Sequence, residues 1–276
     1  MSLVRDKDGK RLHVKSKLMG ESLVGKTFIE GLEYGETMRM LPTATVMKIG
    51  GQSIIDMGAK SILPITKEIV ENAGRHKMIL TTGGGTRSRH VYAIALELGM
   101  PTGVISALGH SISEQNALMI SSLLIPYGGI KTSRSNINEL GSYLSQGWIP
   151  VLNGMPSYGY YEPPPEVGRL PANRTDVGTF LLAEVTGAKQ CVMIKDVDGL
   201  YSDNPKKNPD VQFIPKIGAN ELIEKDLEDL VVERAMVELL CRSQSIKEVQ
   251  IINGLKGGNI TKALNGEHVG TIIYQD

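Results

Sequence analysis

Cysteine and histidine are too few and too scattered in this sequence to build a disulfide framework or a zinc site. The two cysteines, Cys191 and Cys241, lie in a strand-like run and a helix-like run without any ligand spacing between them. The five histidines form no ligand pair at helical spacing. We therefore expect buried, reduced thiols and no dedicated transition-metal site.

The sequence also lacks net charge and long apolar runs. The chain has 30 lysines and arginines and 30 aspartates and glutamates. It therefore has no net charge that would attract nucleic acid or a membrane surface. No apolar run approaches the roughly 18 residues of a membrane-spanning helix. No secretory signal opens the sequence, so the expected location is the cytoplasm.

The first 20 residues are an exception, because lysine and arginine outnumber aspartate there. A disordered tail, or an arm that packs on another subunit, explains this imbalance better than a nucleic-acid patch does. We predict an N-terminal arm over residues 1–40 and one domain over 41–276. A chain of 276 residues can bury a full core as one large domain or as two tightly joined lobes.

Two glycine runs follow strand-like segments. Lys48-Ile49-Gly50-Gly51 ends a β-branched run, and Gly83-Gly84-Gly85 separates a second strand-like run from a helix-like one. A lysine and bare backbone N–H groups at a strand's carboxyl end suit a phosphate, although a tight turn beside a solvated lysine has the same pattern. The spacing is neither Walker A nor Gly-x-Gly-x-x-Gly. Two such junctions favour neighbouring parallel strands whose carboxyl ends face one crevice.

Three basic residues follow the second glycine run, in the first turns of the predicted helix: Arg87, Arg89 and His90. They form either a solvated basic face or a clamp for a phosphate-like oxyanion, which suits the forked donors of arginine.

Strand-like and helix-like segments alternate beyond residue 40, which is typical of an α/β fold. The predicted strands are Thr43–Ile49, Met78–Thr82, Thr102–Ser106, Ile149–Leu152, Gln190–Lys195, Glu248–Ile252 and His268–Tyr274. The predicted helices are Ile54–Ala73, Thr86–Leu98, Ser113–Leu124, Asp176–Thr186, Val231–Ser245 and Asn259–Leu264.

Residues 155–171 interrupt this alternation with five prolines and three tyrosines. Because proline cannot donate a backbone hydrogen bond, we predict a stiff excursion rather than a helix or strand. A lid, a subunit contact and a structural cover over the sheet are all compatible with it.

Two further segments carry candidate functional groups. In Asn173-Arg174-Thr175-Asp176, Thr175 or Asp176 can cap the following helix. The aspartate could instead orient Lys48 or bind Mg²⁺ beside a triphosphate. The second segment, from Lys195 to Pro205, follows an apolar strand and is too long for a simple connector.

With these motifs in hand, the chain resembles the amino acid kinase family, which includes uridylate kinase, acetylglutamate kinase and aspartokinase. The resemblance runs from about residue 42 to the end and includes Gly266-Glu267-His268-Val269-Gly270-Thr271. It implies a three-layer αβα sandwich with a mainly parallel central sheet, in which Lys48 and Asp176 are catalytic. It also implies a nucleotide site formed by Gly50, Gly51, Gln52, Gly83, Gly84, Gly85, Arg87, Lys195, Asp198, Gly199, Tyr201, Asn204 and Pro205.

Within the family, motifs such as Gly85-Thr-Arg-Ser-Arg-His90 resemble those of a branch that stores molybdate or tungstate. The resemblance implies that MgATP drives the oxyanion into polynuclear oxide clusters inside a hexameric cage of two related subunit types. Of these, the chain looks more like the ATP-using, alpha type. The other type carries a histidine-rich stretch in the proline loop, whereas this loop has Tyr158-Gly-Tyr-Tyr-Glu162.

A nucleoside monophosphate kinase, above all a UMP kinase, or another kinase of the family is the alternative. Molybdate is a tetrahedral dianion like phosphate, so the same donors suit either acceptor. Lys48-Ile-Gly-Gly-Gln52 and Gly85-Thr86-Arg87 depart from the Lys-x-Ser-Gly-Glu and Gly-Gly-Gly-Asn runs typical of uridylate kinases. A non-catalytic sensor or a structural cage partner is a third possibility, against which the presence of Lys48, Asp176 and Lys195 argues.

Overall fold

The computed structural model describes residues 3–5, 8–9, 12–14, 25, 29–32, 35–157, 162–203, 208, 210–227 and 230–276. The chain divides into two compact units, Met1–Met38 and Arg39–Asp276. In the first unit, strands β1 (Leu3–Arg5) and β2 (Leu12–Val14) pair in antiparallel fashion, with Leu3 opposite Val14.

The second unit is built on an eight-stranded sheet in the order β10-β12-β11-β7-β3-β4-β6-β5. All neighbouring strands in it run parallel except β11 and β12. The strands are β3 (Ala44–Ile49), β4 (Lys77–Thr82), β5 (Gly129–Lys131), β6 (Ile149–Asn153), β7 (Gln190–Lys195), β10 (Lys216–Gly218), β11 (Glu248–Asn253) and β12 (Thr271–Tyr274). Strands β8 (Leu200–Tyr201) and β9 (Phe213–Ile214) form a separate antiparallel pair.

Helices connect these strands. They are α1 (Ala59–Ala73), α2 (Gly85–Glu97), α3 (Thr102–Leu124), α4 (Leu140–Ser145), α5 (Thr175–Thr186), α6 (Ala219–Glu224), α7 (Arg234–Leu240) and α8 (Asn259–Leu264). Short 3-10 turns occupy Ile55–Met57, Ile125–Tyr127 and Arg134–Glu139. Within the described ranges, no helix combines the length and apolarity needed to cross a membrane.

Two apolar cores lie on opposite faces of the sheet. Val46 belongs to one buried cluster and its neighbour Met47 to the other, and the same alternation separates Ile79 from Leu80. Because successive side chains of a strand point to opposite faces, the two clusters are the two interfaces between sheet and helices. Helices α5 and α7 cover the first face, and α1, α8 and the end of α3 cover the second. The expected three-layer αβα sandwich with a mainly parallel sheet is therefore confirmed.

The predicted strand at Thr102–Ser106 is wrong, because these residues form the first turns of α3. Val104 and Ile105 have β-branched side chains, and a short apolar run cannot be assigned to strand or helix by periodicity alone. In the fold, Ile105 is buried against Tyr92 and Ala95 of α2, so packing between the two helices decides its conformation. Sequence patterns also failed to predict the three-residue strands β5 and β10 and helix α6.

The described residues of the proline-rich segment, 155–157 and 162–171, form neither helix nor strand. Arg169 of this segment accepts a hydrogen bond from Thr102 through its carbonyl and donates from Nη1 to the carbonyl of Gly99, at 3.0 and 3.1 Å. The segment is thereby tied to the junction between α2 and α3. Cys191 is buried as expected, Cys241 is half-buried, and both are free thiols.

Candidate functional site

Two glycine turns meet at the carboxyl ends of β3 and β4. A Cβ atom added to Gly51 would lie 2.3 Å from the backbone nitrogen of Gly85, and one added to Gly83 would lie 2.4 Å from that of Gly51. Such distances are far inside van der Waals contact, so only glycine allows the two backbones to approach this closely. The expected pairing of the two strand–glycine junctions at one edge of the sheet therefore has a steric basis.

Side chains from other elements hold the second turn in place. Asn116 on α3 donates from Nδ2 to the carbonyls of Gly83 and Gly84, at 2.7 and 3.2 Å. The backbone nitrogen of Thr86, in the first turn of α2, donates to Asp56 Oδ2. No sequence pattern marks Asp56, since it lies in a 3-10 turn whose approach to α2 is set by the tertiary fold.

A buried aspartate lies between two buried lysines beside these turns. Lys48, near the end of β3, donates from Nζ to Asp176 Oδ1. Lys195, at the end of β7, donates from Nζ to Asp176 Oδ1 and Oδ2, at 3.2 and 3.3 Å. The fractional exposure of Lys48, Asp176 and Lys195 is 4%, 4% and 9%. Residues 128 positions apart are thus joined in one buried charge cluster.

This cluster perturbs the titration of its members. Burial by itself raises the pKa of Asp176, but the charges of Lys195 and Lys48 outweigh burial and hold that pKa well below its ordinary value. The pKa of Lys195 is lowered, because burial disfavours the ammonium more than Asp176 favours it. Asp176 is therefore a carboxylate throughout the neutral range.

Glu233, just before α7, caps helix α5 from outside. Its carboxylate accepts hydrogen bonds from the backbone nitrogens of Arg174, Asp176 and Val177, at 3.1, 3.2 and 3.1 Å. Of the two interpretations of this segment, capping by Thr175 or Asp176 is therefore wrong, and the bond from Lys48 to Asp176 agrees with the alternative in which the aspartate orients the lysine. Asp176 instead turns its side chain to the lysines, and a distant residue supplies the acceptors that the first N–H groups of the helix require.

A cavity of about 690 Å³ opens beside the cluster and the two glycine turns. Of the residues expected in the site, it is lined by Lys48, Gly50, Gly51, Gln52, Gly83, Gly84, Gly85, Asp176, Lys195 and Tyr201. Further lining residues include Ser88, Arg89, Tyr92, Met155, Leu170, Arg174, Val197 and the run Leu230–Glu233. Burial raises the pKa of Tyr92 to about 12, so its phenol stays protonated.

Three expected site residues lie elsewhere. Arg87 bonds to the side-chain oxygens of Gln115 and Asn116 on α3 and does not line the cavity. Asp198 accepts from Asn253 Nδ2 at 3.0 Å and from Lys256 Nζ at 2.8 Å. Gly199 packs closely against Thr271. Asn204 and Pro205 lie outside the described residues.

Several lining residues were not expected from the sequence: Ser88, Tyr92, the run Leu230–Val232 and Glu233. Ser88 and Tyr92 could have been found, because they lie one and two helical turns beyond Gly85 on one face of α2. Leu230–Glu233 precede a short helix more than 50 residues from Asp176 in sequence, and no local pattern marks them.

The chain is similar to known proteins over most of its length. A model of the amino acid kinase family matches residues 43–253. Molybdenum storage protein subunit beta of Azotobacter vinelandii is 44% identical over 256 residues, which cover 93% of this chain and 95% of that protein. Uridylate kinase of Methanobrevibacter smithii is 28% identical over 236 residues, covering 83% and 97%.

The structure of uridylate kinase from Archaeoglobus fulgidus superposes with a TM-score of 0.64 at 24% identity, over 83% of this chain and 99% of that one. At this identity the likeness concerns the fold alone. The storage relative is a beta subunit, whereas the sequence motifs favoured the ATP-using alpha type, so the similarity does not support that choice of subunit type. With the family model matched across most of the second unit, the chain belongs to the amino acid kinase family.

Proposed function

We propose that the chain binds MgATP in this cavity and uses it to drive uptake of molybdate or tungstate as polynuclear oxide clusters in an oligomeric assembly. The proposal of ATP binding rests on one observation. Lys48 and Lys195 both bond to Asp176, beside two glycine turns that face each other. The proposal of molybdate or tungstate storage is supported by the similarity to the Azotobacter storage subunit.

The phosphates of ATP fit the region of the glycine turns. Glycine at 51 and 83 lets the two turns pack closely, and the backbone N–H groups of these turns other than those of Gly50 and Gly83, which donate to Ile194 and Ile49, can donate to phosphate oxygens. Lys48 and Lys195 supply the charge that a transferring phosphoryl group needs, and Asp176 holds both ammonium groups at fixed positions. When bound, ATP supplies the free energy of its terminal phosphoanhydride bond.

The adenosine fits the apolar part of the cavity lining. Val197, Tyr201 and the run Leu230–Val232 line the cavity and provide apolar surface for a base. The ring of Tyr201 packs edge-on against Phe213, with 5.4 Å between centroids, which fixes its plane. This part of the lining includes Val197 and Tyr201 of the Lys195 to Pro205 segment, which the family resemblance assigns to the nucleotide site.

Magnesium fits this site as an ion carried by the phosphates. Both oxygens of Asp176 are taken by lysines, with Oδ2 also accepting the backbone N–H of Glu233 at 3.1 Å. Across the part of the chain that the structure describes, no group of three or more histidine, cysteine or acidic side chains could hold a metal ion. Mg²⁺ is commonly bound through substrate phosphates with few protein ligands, and this donor set is compatible with that mode.

The oxyanion fits beside the start of α2. Arg89 on α2 and Arg174, which also pairs with Glu233, line the cavity and offer guanidinium donors. Ser88 lines it as well, is 6% exposed, and its Oγ has no hydrogen-bond partner among the described residues. We therefore assign the oxyanion to Arg89 rather than to Arg87, whose guanidinium is bonded to α3.

Metal retention tests the proposal directly. Metal-free protein is incubated with molybdate, with and without MgATP, then desalted, and molybdenum per chain is counted by elemental analysis. We expect retention of many metal atoms per chain with MgATP and little without it. Adenosine 5′-(β,γ-imido)triphosphate serves as the control for binding without hydrolysis, and retention that is equal with and without any nucleotide would contradict the role of ATP.

A UMP kinase is the second candidate, favoured by the similarity to uridylate kinases over 83% of the chain. A kinase of this type would phosphorylate UMP at an ordinary rate, about 1 to 10³ per second, and retain no metal after desalting. The same protein is therefore assayed for UDP formation. Robust UDP formation without retained metal would replace the storage proposal by the kinase.

We further propose that the chain forms a closed oligomer, a hexamer of one subunit type or of two related types, in the cytoplasm, without nucleic acid or membrane partners. The basic arm, the proline-rich segment and the name of the storage relative, which is that of one subunit of a larger protein, support this. Light scattering at micromolar concentration is expected to give a mass several times 30.0 kDa. A particle of one chain's mass would contradict the proposal.

A further inference from the structure

Glu233 makes two kinds of contact with one residue of the charge cluster. Its carboxylate accepts the backbone N–H of Asp176 at 3.2 Å, and its own backbone N–H donates to Asp176 Oδ2 at 3.1 Å. Main chain and side chain of Asp176 are therefore held by the same partner. The two residues are 57 positions apart, so this reciprocal pair is a tertiary contact and not a local cap.

The remaining contacts of Glu233 strengthen the same arrangement. Its Oε2 accepts from the backbone nitrogens of Arg174 and Val177, both at 3.1 Å, and Arg174 Nε lies 3.6 Å from Oε1. The side chain is only 9% exposed. A carboxylate at a helix N-terminus is favoured by the helix dipole as well as by these N–H groups.

The two carboxylate oxygens of Asp176 accept hydrogen bonds from three different residues. Oδ2 is held by the backbone of Glu233, while Oδ1 accepts from Lys48 and both oxygens accept from Lys195. Rotation of the aspartate about its side-chain bonds would break the bond to Glu233. Burial raises the pKa of Glu233, and the negative charge of the nearby Asp176 carboxylate raises it further.

We infer that Glu233 is a positioning residue, which locks Asp176 in the orientation that presents Lys48 and Lys195 to the cavity. It acts through Asp176 and not by contact with the reacting phosphate. This inference rests on the proposed function for its consequence in ATP turnover, but the effect of Glu233 on the titration of Lys195 can be measured without ATP.

The charged groups that face Lys195 set the expected response. They are Asp176 on α5, Lys48 on β3 and Glu233 before α7. The negative charge of Glu233 favours the ammonium form of Lys195, so removing that charge lowers the pKa of Lys195 further below its ordinary value. A glutamate that only capped helix α5 would exert the same charge effect, so the shift must also appear in Glu233→Asp, which keeps the charge and moves the hydrogen bonds.

The test compares Glu233→Gln, which keeps the shape and removes the charge, with Glu238→Gln, an exposed glutamate on α7. Lysine side chains are labelled competitively with acetic anhydride across pH, and the extent at Lys195 is read by mass spectrometry. We expect the midpoint for Lys195 to move to lower pH in Glu233→Gln and to stay in place in Glu238→Gln. An unchanged midpoint in Glu233→Gln would overturn the inference, whether or not the protein uses ATP.

ATP turnover gives the second readout. We expect kcat of Glu233→Gln to fall by up to about 10²-fold with KM for MgATP little changed, because the lysines are misplaced rather than lost. A lower melting temperature with unchanged kcat and unchanged midpoint would mean a structural cap only and would overturn the inference. Absence of turnover in the wild type, with midpoints shifted in both Glu233→Gln and Glu233→Asp, would contradict the proposed function and leave the positioning role supported.

Glu233→Asp is measured beside Glu233→Gln and replaces it if Glu233→Gln does not fold. Aspartate keeps the charge but withdraws it by one methylene, so the Lys195 midpoint is expected to move in the same direction and kcat to fall. Wild-type values for both in a folded Glu233→Asp protein would overturn the inference.

Discussion

Asp176→Asn is expected to lower the free energy of unfolding by about 3 to 5 kcal/mol, since removal of one partner leaves buried charges uncompensated. Lys48 and Lys195 would then face each other with 5% and 11% of their side chains exposed and no carboxylate between them. Asparagine can still accept the N–H of Glu233, so loss of charge rather than of shape is the main change. Urea denaturation at pH 7.5 measures the effect.

Asp226→Asn is the matched control. The Asp226 side chain is 80% exposed and pairs with Arg234, and such surface pairs contribute only about 0 to 1 kcal/mol. Asp226 has a positive φ of 43°, a conformation that asparagine tolerates well. Equal losses in the two variants would contradict the assignment of Asp176 as the centre of a buried charge cluster.

The difference in the free energy of unfolding between wild type and Asp176→Asn is also expected to depend on pH. Because the folded-state pKa of Asp176 is depressed, its contribution to stability is present above the unfolded-state pKa of about 3.9 and is lost as pH falls below it. The asparagine side chain of the variant does not titrate, so the stability difference between the two proteins should narrow as pH is lowered from 5 toward 3. A constant difference would contradict the depressed pKa.

Lys48→Ala is expected to reduce ATP turnover by about 10²- to 10³-fold, the usual loss when one positioned donor is removed from a transferring group. The ammonium is held by Asp176 near the end of β3 beside Gly50 and Gly51, so the substitution removes one positioned positive charge from the cavity. Turnover and MgATP affinity are both measured, by phosphate release and by calorimetry.

Lys67→Ala serves as the control for this variant. Lys67 lies on α1 with 78% of its side chain exposed and pairs only with Glu71 of the same helix among the described residues. We expect wild-type turnover from it. If Lys48→Ala left both ATP affinity and turnover unchanged, Lys48 would have no role in nucleotide handling.

Local sequence alone was enough to locate the central strands and the two glycine turns. The segments around Lys48 and Lys195 combine β-branched or apolar runs with an abrupt change to glycine or turn residues, and this pattern depends only on neighbours in sequence. The fold class followed from their alternation with helical segments. Because parallel strands end at one edge of a sheet, the meeting of Gly51 with Gly83 could also be expected.

Tertiary structure decided the rest. Thr102–Ser106 is helical because Ile105 packs against α2, although its β-branched neighbours favour a strand. Arg87 and Arg89 lie on opposite sides of α2, and the positions of α3 and the glycine turns decide that Arg89 and not Arg87 faces the cavity.

In the charge cluster, too, sequence determined some features and tertiary structure determined others. The sequence by itself determined that Lys48, Asp176 and Lys195 each end or begin an element at the crevice. Which acceptor caps α5 depended on the chain returning 57 residues later, and it is Glu233 that does so. Long-range hydrogen bonds to buried polar groups leave no periodic trace in sequence, because either partner alone looks like an ordinary surface residue until the fold removes both from water.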